Sequence, residues 1–161
     1  MDDKLFRRAL GTFPTGVTVV TTRDEDGAPV GMTVASFNSV SLDPPLILWS
    51  LDRSAFSFQA FSTASHFCVH ILAEDQVEMS DRFAQTLTDK FSDLETEPGI
   101  GGAPRLINCA ARFDCAAWRT YDGGDHIIII GQVEDMESSG KPPLLFAGGG
   151  YHALGAKIGA V

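Results

Sequence analysis

Short runs of β-branched and aromatic residues, separated by turn residues at close intervals, most constrain the fold of this chain. Residues 17–22 are rich in Val and Thr, turn residues follow over 24–29, and strand character resumes over 30–36. β-Branched side chains pack well on a pleated sheet, and Gly, Pro and Asp between two such runs favour a hairpin. The N-terminal part of the chain therefore predicts paired antiparallel strands.

The strand pattern continues along the rest of the chain. Residues 38–42 and 46–51 form two strand-like runs broken by two prolines, which cannot donate to a sheet ladder. The patterns also predict strands over 66–72, 106–121, 126–136 and 144–147, helices over 3–10, 55–61 and 73–84, and a long connection over 85–105. The expected fold is mainly β, an antiparallel barrel of six or more strands with a few short helices.

Composition indicates an ordinary globular protein. The 161 residues fit one domain over 1–161, with 44% apolar and 20% charged residues. A net charge of −9 repels phosphate backbones and no basic cluster reverses it, so no nucleic acid partner is expected. The apolar runs are far shorter than the roughly 20 residues that span a bilayer, so no membrane partner is expected either.

The N-terminus and the cysteines bear on the compartment. Residues 1–10 lack the basic start and apolar stretch of a signal peptide, which predicts a cytoplasmic location. Cys68, Cys109 and Cys115 are odd in number and show no CxxC spacing. We expect reduced thiols, because neither a disulfide framework nor a zinc ribbon matches this pattern.

Two strand-like runs invite interpretation as surfaces. His66, Cys68 and His70 alternate along one predicted strand and would share a face. Three ligands on one strand do not easily surround an ion, so we predict no metal site and expect a polar or subunit-facing surface. Residues 127–130 are four isoleucines, apolar on both faces of their strand. That run predicts that a second subunit covers one face, giving a homodimer.

Two segments carry small and hydroxylated residues where a ligand could approach the backbone. Residues 52–57 follow a strand and precede a predicted helix, so their N–H groups and Arg53 could hold a phosphate; a plain capped helix is the alternative. Residues 32–39 could approach a flat polar ring, and an ordinary half-buried strand is the alternative there.

Three single residues are further candidates. His126 begins an apolar strand after a Gly-Gly-Asp turn, where it could donate a hydrogen bond or carry a proton, with Asp125 orienting the ring. Tyr151 follows three glycines and could cover a planar ligand. Lys90 supplies a cation in the long connection. A turn histidine, a packed tyrosine and a solvated lysine are the structural alternatives.

Taken in order, these segments resemble the flavin reductase family with the FMN-binding split-barrel fold. The resemblance covers nearly the whole chain, and its weight comes from the order of many short motifs. The matching positions are 6–11, 14–17, 32–33, 36–42, 43–46, Ser54, Phe58, 82–83, 89–91, 124–126 and Tyr151. It implies a six-stranded split β-barrel and the reductase component of a two-component flavin monooxygenase.

The resemblance also implies a reaction and a set of site residues. Hydride would pass from NADH, with NADPH as the alternative, to FAD or FMN, and reduced flavin would diffuse to a separate monooxygenase component. His126 would be the catalytic residue near the nicotinamide. The implied cofactor-binding residues are Met32, Thr33, Val34, Ala35, Ser36, Phe37, Asn38, Ser39, Ser50, Leu51, Asp52, Arg53, Ser54, Ser57, Arg82, Lys90 and Tyr151.

The nucleotide-binding motif and an alternative function also bear on the expectation. No GxGxxG motif follows a predicted strand, which agrees with nucleotide binding outside a Rossmann domain. The alternative function is a non-catalytic flavin- or haem-binding split-barrel protein.

Overall fold

A seven-stranded antiparallel sheet dominates the computed structural model, which describes residues 1–86 and 89–159. Its strand order is β3-β2-β6-β9-β10-β5-β4. The strands are β1 Thr15–Gly16, β2 Thr18–Arg23, β3 Pro29–Val34, β4 Asn38–Leu42, β5 Pro45–Asp52, β6 His66–Ile71, β7 Thr96–Pro98, β8 Pro104–Leu106, β9 Ala111–Gly123, β10 His126–Ser138, β11 Leu145–Ala147 and β12 Gly150–His152. The helices are α1 Asp3–Leu10, α2 Phe58–Thr63 and α3 Val77–Ala84, with a 3-10 turn at Ile100–Gly102.

The mainly β, antiparallel prediction is confirmed, and the main sheet has seven strands where the patterns predicted six or more. There are two smaller sheets. In one, β11 lies between β1 and β12, and in the other β7 pairs with β8. The helix over residues 3–10 is also confirmed, and the Asp2 carboxylate accepts hydrogen bonds from the amides of Lys4 and Leu5 at its start.

Several predicted boundaries were wrong. The helix over 55–61 is α2, which begins only at Phe58, because the preceding residues form turns closed by the Asp52 and Ala55 carbonyls. The strand over 106–121 is two strands, because the chain turns at Asn108, whose φ is 63°. The helix over 73–84 begins only at Val77, since the Ala73 amide is bound by the side chain of Gln76 and Ala73 pairs with Pro143. The connection over 85–105 contains the β7–β8 hairpin, while its residues 87 and 88 lie outside the described residues.

The core is organised around Trp49 on β5. The Trp49 ring is fully buried and meets Phe61 of α2 and Phe67 of β6 edge to face, with ring centroids 5.2 Å and 5.9 Å apart. Such aromatic pairs add about 0.5–1.5 kcal/mol beyond the burial of their area. This packing fixes α2 against the sheet and so fixes the segment that leads into it.

The face of β6 that carries His66, Cys68 and His70 is not the polar surface that was predicted. Cys68 and His70 are fully buried, because β8 covers this end of the strand. His70 Nδ1 donates to the Val19 carbonyl, and Nε2 accepts from the Leu106 amide, each at 3.0 Å. Within residues 1–86 and 89–159, no group of three His, Cys, Asp or Glu side chains is arranged to hold a metal ion.

The four isoleucines of β10 are covered to different extents on the two faces of the strand. Ile127 and Ile129 are 6% and 3% exposed, whereas Ile128 and Ile130 on the other face are half-buried. Among the described residues, no helix is both long and apolar enough to cross a bilayer.

A close approach at Gly31 holds α3 on β3. A Cβ atom at Gly31 would lie 2.5 Å from Cε1 of the buried Phe83 ring, so only glycine fits without movement. We therefore predict that Gly31→Ala lowers the free energy of unfolding by about 1–3 kcal/mol. Denaturant unfolding measures this, with Gly16→Ala as the control, because nothing lies within 4 Å of a Cβ there. Equal stabilities for the two variants would contradict this packing.

The His70 hydrogen bonds predict a pH-dependent stability. Burial lowers the pKa of His70 from 6.5 to about 4, with Asp114 opposing the shift and Arg105 and Arg112 adding to it. A lowered folded-state pKa means that the stabilisation is complete above about pH 6.5 and is lost as the pH falls toward 4. Urea unfolding should show this decline in the wild type.

His70→Gln is the matched variant, since its amide can donate and accept but does not titrate in this range. Between pH 7 and pH 4 we expect the free energy of unfolding to fall less for His70→Gln than for the wild type. The two declines should differ by roughly 3 kcal/mol at most. The same decline in both proteins would show that His70 is not responsible.

Candidate functional site

The two hydroxyl-rich segments of the sequence line one cavity. Met32 and Thr33 of β3 form one side, and Ala55 and Ser57, between β5 and α2, form another. The cavity measures about 170 Å³ and is open to solvent. Ser57 Oγ lies 3.5 Å from Met32 Sδ, a weak acceptor. The Ser57 hydroxyl can therefore turn to a stronger acceptor at little cost.

The third wall comes from the end of α3 and the segment after it. Phe83 and Phe91 pack edge to face with ring centroids 5.1 Å apart, and both line the cavity beside Gly31. Phe56, which is 77% exposed, stands at the opposite side. Aromatic side chains on two sides and backbone on a third suit a planar organic ligand.

Lys90 places a cation at this cavity. Its ammonium donates to the carbonyls of Gly31 at 3.1 Å and Phe83 at 2.9 Å, which ties the α3 end to β3. Partial burial lowers the pKa of Lys90. An ammonium has three donors, so one remains for an anionic ligand. The position agrees with the predicted phosphate contact, which stays a prediction.

The segment between β5 and α2, residues 53–57, is called the junction here. Asp52 accepts hydrogen bonds from the Ser54 amide and hydroxyl, each at 2.7 Å, and these hold the pKa of the Asp52 carboxyl below its usual range. Upstream, the Ser50 amide donates to Ser36 Oγ at 2.9 Å. The two predicted ligand segments are thus bonded to each other at Ser36 and Ser50.

His126 stands beside the junction. It is paired across the sheet with Asp52, because β10 runs antiparallel to β5. Its Nδ1 lies 2.8 Å from Asp125 Oδ1, and a carboxylate only accepts, so Nδ1 carries the proton. The side chain is 39% exposed. Nε2 is therefore the ring nitrogen that a ligand can meet.

Several predicted site residues are engaged elsewhere. Val34 and Leu51 are buried in the core, so they offer a ligand only backbone groups. The Thr33 hydroxyl donates to the Ser80 carbonyl, and an Arg82 nitrogen donates to the Ser92 carbonyl. The Tyr151 hydroxyl lies 2.7 Å from an Asp81 carboxylate oxygen and 2.9 Å from Ser80 Oγ.

The remaining predicted residues lie along the other end of the segment. Ala35 is exposed at the end of β3, and the Phe37 ring stacks on Phe113 with centroids 5.8 Å apart. Asn38 and Ser39 begin the edge strand β4 and are exposed. The structure therefore brings Met32, Ser57 and Lys90 together, and separately His126 with Asp52 and Arg53.

Sequence reasoning missed two groups of residues. Asp122 pairs with Arg53 at 3.0 Å, and the only local signal was the Asp-Gly-Gly turn that contains it. Gly31 and Phe83 form the cavity wall, but they are far apart in the chain. No local pattern brings such a pair together.

Comparison with known proteins agrees with this geometry. The family model described as a flavin reductase like domain matches residues 10–155. The chain is 46% identical over 150 residues to the FMN reductase (NADH) SmoA of Agrobacterium fabrum, covering 93% of this chain and 85% of that protein. It is 44% identical over 146 residues to the reductase component of the flavin-dependent trigonelline monooxygenase of Acinetobacter baylyi, covering 91% of this chain but only 46% of that longer protein.

Comparison of the fold with a solved structure agrees with the sequence comparisons. The NADH:FAD oxidoreductase of Streptomyces globisporus, in complex with NAD and FAD fragments, superposes with a TM-score of 0.91 at 36% identity, covering 98% of this chain and 96% of that one. The resemblance inferred from the motifs is confirmed. The chain belongs to the flavin reductase family.

Proposed function

We propose that this chain is an NADH:flavin oxidoreductase that supplies reduced flavin to a separate monooxygenase component. The observation that carries the proposal is the cavity between β3 and the junction, because the junction directly follows Asp52, which pairs across the sheet with His126. Relatives at about 40% identity are the reductase components of monooxygenases, including the HsaB reductase subunit of Mycobacterium tuberculosis.

The residues of the cavity fit a flavin nucleotide. Phe56 and Phe91 supply aromatic surface and Lys90 supplies positive charge. Among the described residues, the Ser57 hydroxyl has only a thioether partner. In the proposed complex Ser57 and Lys90 hold the flavin phosphate, while the backbone of residues 33–36 meets the polar edge of the ring. FAD and FMN share these parts, so the proposal covers both.

Hydride transfer from C4 of the dihydronicotinamide to N5 of the flavin is chemistry that the two ligands supply. The protein contributes position, because holding two reactants in contact can contribute about 7–11 kcal/mol in well-oriented systems. His126 orients the nicotinamide through Nε2, and Asp125 keeps Nδ1 protonated. Neither residue acts as a nucleophile.

An open cavity suits a reductase that releases its product. The cavity faces solvent, and few of the described side chains that line it are hydrogen-bond donors. Reduced flavin can therefore leave by diffusion. A cytoplasmic location remains a prediction, which the three free cysteines Cys68, Cys109 and Cys115 support.

NADH oxidation by the purified protein tests the proposed function. We expect turnover that requires added FAD or FMN and that is faster with NADH than with NADPH. His126→Asn should lower kcat/KM for NADH by about tenfold, the value of one hydrogen bond. His66→Gln is the control for the loss of a histidine, because His66 lies elsewhere, on β6 beside Glu134. Saturable flavin binding without turnover would instead support the non-catalytic binding protein.

Two features support the proposed homodimer: the isoleucine run of β10 and the exposed edge strand β4. All but one residue of β4 is exposed, including Val40 at 45% and Leu42 at 95%, and β4 forms an edge of the main sheet. An edge strand with apolar residues exposed is a template for association. A second copy of this chain covering β4 would place Asn38 and Ser39 at a shared site.

Leu42→Glu tests this interface. A buried carboxylate at the contact should separate the subunits, so light scattering should report a monomer where the wild type is a dimer. Leu154→Glu is the control, because Leu154 is also exposed, at 63%, but lies in the C-terminal segment after β12 and outside the main sheet. A wild-type monomer, or a Leu42→Glu dimer, would contradict the proposed interface.

A further inference from the structure

Arg53 joins the junction to the β9–β10 turn through three hydrogen bonds. Its amide donates to the Asp125 carbonyl and its Nε to the Gly124 carbonyl, each at 3.0 Å. Its Nη2 lies 3.0 Å from Asp122 Oδ1. Asp122 in turn accepts from the Gly124 amide at 3.1 Å. Residue 53 therefore holds the turn that immediately precedes His126 through its side chain, at Asp122 and Gly124, and through its main-chain amide, at Asp125.

Protein groups hold the guanidinium at two of its three nitrogens. Nε and Nη2 meet a carbonyl and a carboxylate, and the hydrogen bond from Arg53 holds the pKa of Asp122 below its usual range. A phosphate bound at the remaining nitrogen, Nη1, would lie near Asp122, which carries the same sign of charge. The pairing with Asp122 therefore disfavours the phosphate contact that the sequence suggested for Arg53.

We propose that Arg53 is a positioning residue that sets the place of His126, and so couples the flavin cavity to the nicotinamide. The inference rests on the proposed function. The junction that lines the cavity through Ala55 and Ser57 begins at Arg53, and the turn that Arg53 holds ends at His126. Movement of the turn would displace the imidazole without disturbing the cavity.

The effect of Arg53 is local. The Arg53 and Asp122 side chains are 46% and 80% exposed, and exposed ion pairs contribute little to global stability. Asp125 faces His126 directly, and Asp52 lies opposite on β5, so the ring keeps these neighbours when Arg53 is replaced. Loss of Arg53 should therefore change the position of the turn while the fold persists.

The chain offers a matched control in Arg23. Its Nε donates to the Gly102 carbonyl and its Nη1 to the Gly27 carbonyl, each at 2.7 Å, so it too joins two loops through main-chain acceptors. Arg23 is exposed and ends β2, and it lines neither the cavity nor the His126 turn. Arg23→Gln therefore controls for the loss of a loop-joining arginine.

Arg53→Gln, Arg53→Lys, Asp122→Asn and the double variant R53Q/D122N form the test. For R53Q we expect the KM for NADH to rise about tenfold with a smaller fall in kcat, because a nicotinamide that loses its contact with a displaced His126 binds less tightly. R53K should recover part of the loss. D122N should show a smaller change in the same direction, and the double variant should lose less than the sum of the two single losses, since the two residues share the Arg53–Asp122 contact.

Two measurements do not depend on turnover. In the ligand-free protein, amide hydrogen exchange over residues 122–126 should be about tenfold faster in R53Q than in wild type and R23Q. The dissociation constant of oxidised flavin, from quenching of its fluorescence, should stay within about twofold. A flavin constant raised tenfold with unchanged exchange would overturn the inference and assign Arg53 to the phosphate.

Faster exchange with an unchanged KM for NADH would also overturn it, because the turn would then move without affecting the nicotinamide. Failure of the proposed function is a separate result, seen as a wild-type protein that binds flavin but oxidises no NADH. The exchange experiment still reports on the Arg53 contact in that case.

Discussion

The pairing of β5 with β10 is the constraint on which the site depends. Ile47, Trp49 and Leu51 alternate into the core along β5, and their burial fixes which face of the strand looks inward. A slip of one residue would turn these side chains outward, so the register is strongly specified. That register sets Asp52 opposite His126 and starts the junction beside the β9–β10 turn. Core packing and ligand geometry are thus decided by the same strand.

Local patterns were enough for most of the elements. Short runs of β-branched and apolar residues and the turn over 24–29 predicted strands that the structure contains, and the pattern over 3–10 predicted α1. The candidate segments around Met32 and Ser57 also proved to share one cavity. These features could be predicted because each follows from neighbours in the chain or from an ordered set of motifs.

Contacts between distant residues could not be predicted. His70 and Cys68 looked like a polar strand face, and only β8, more than thirty residues later, makes that face an interior. The side chains of Thr33 and Tyr151 looked available to a ligand, but the hydroxyl of each is hydrogen-bonded to α3. A short polar side chain gives the same local signal whether its partner is a ligand or a helix carbonyl.

The strongly acidic chain concentrates its positive charge in fixed contacts. Arg105 and Arg112 both bind the buried Asp114, and Arg112 also reaches Asp135 and Glu137. Such arginines stabilise a carboxylate that would otherwise be costly to bury. With the overall charge at −9, attraction of an anionic nucleotide over long range is weak. Binding of a flavin nucleotide at the proposed site would therefore depend on short-range donors such as Lys90 and Ser57.

The two tryptophans of the chain report on different parts of the molecule. Trp49 is wholly excluded from water, and within the described residues its indole nitrogen has no hydrogen-bond partner, whereas Trp118 on the outer half of β9 is 45% exposed. An indole in a dry apolar setting emits at shorter wavelength than one in contact with water. A soluble quencher reaches Trp118 first, so the intrinsic fluorescence of one unlabelled sample separates loosening of the β9–β10 ribbon from loss of the core.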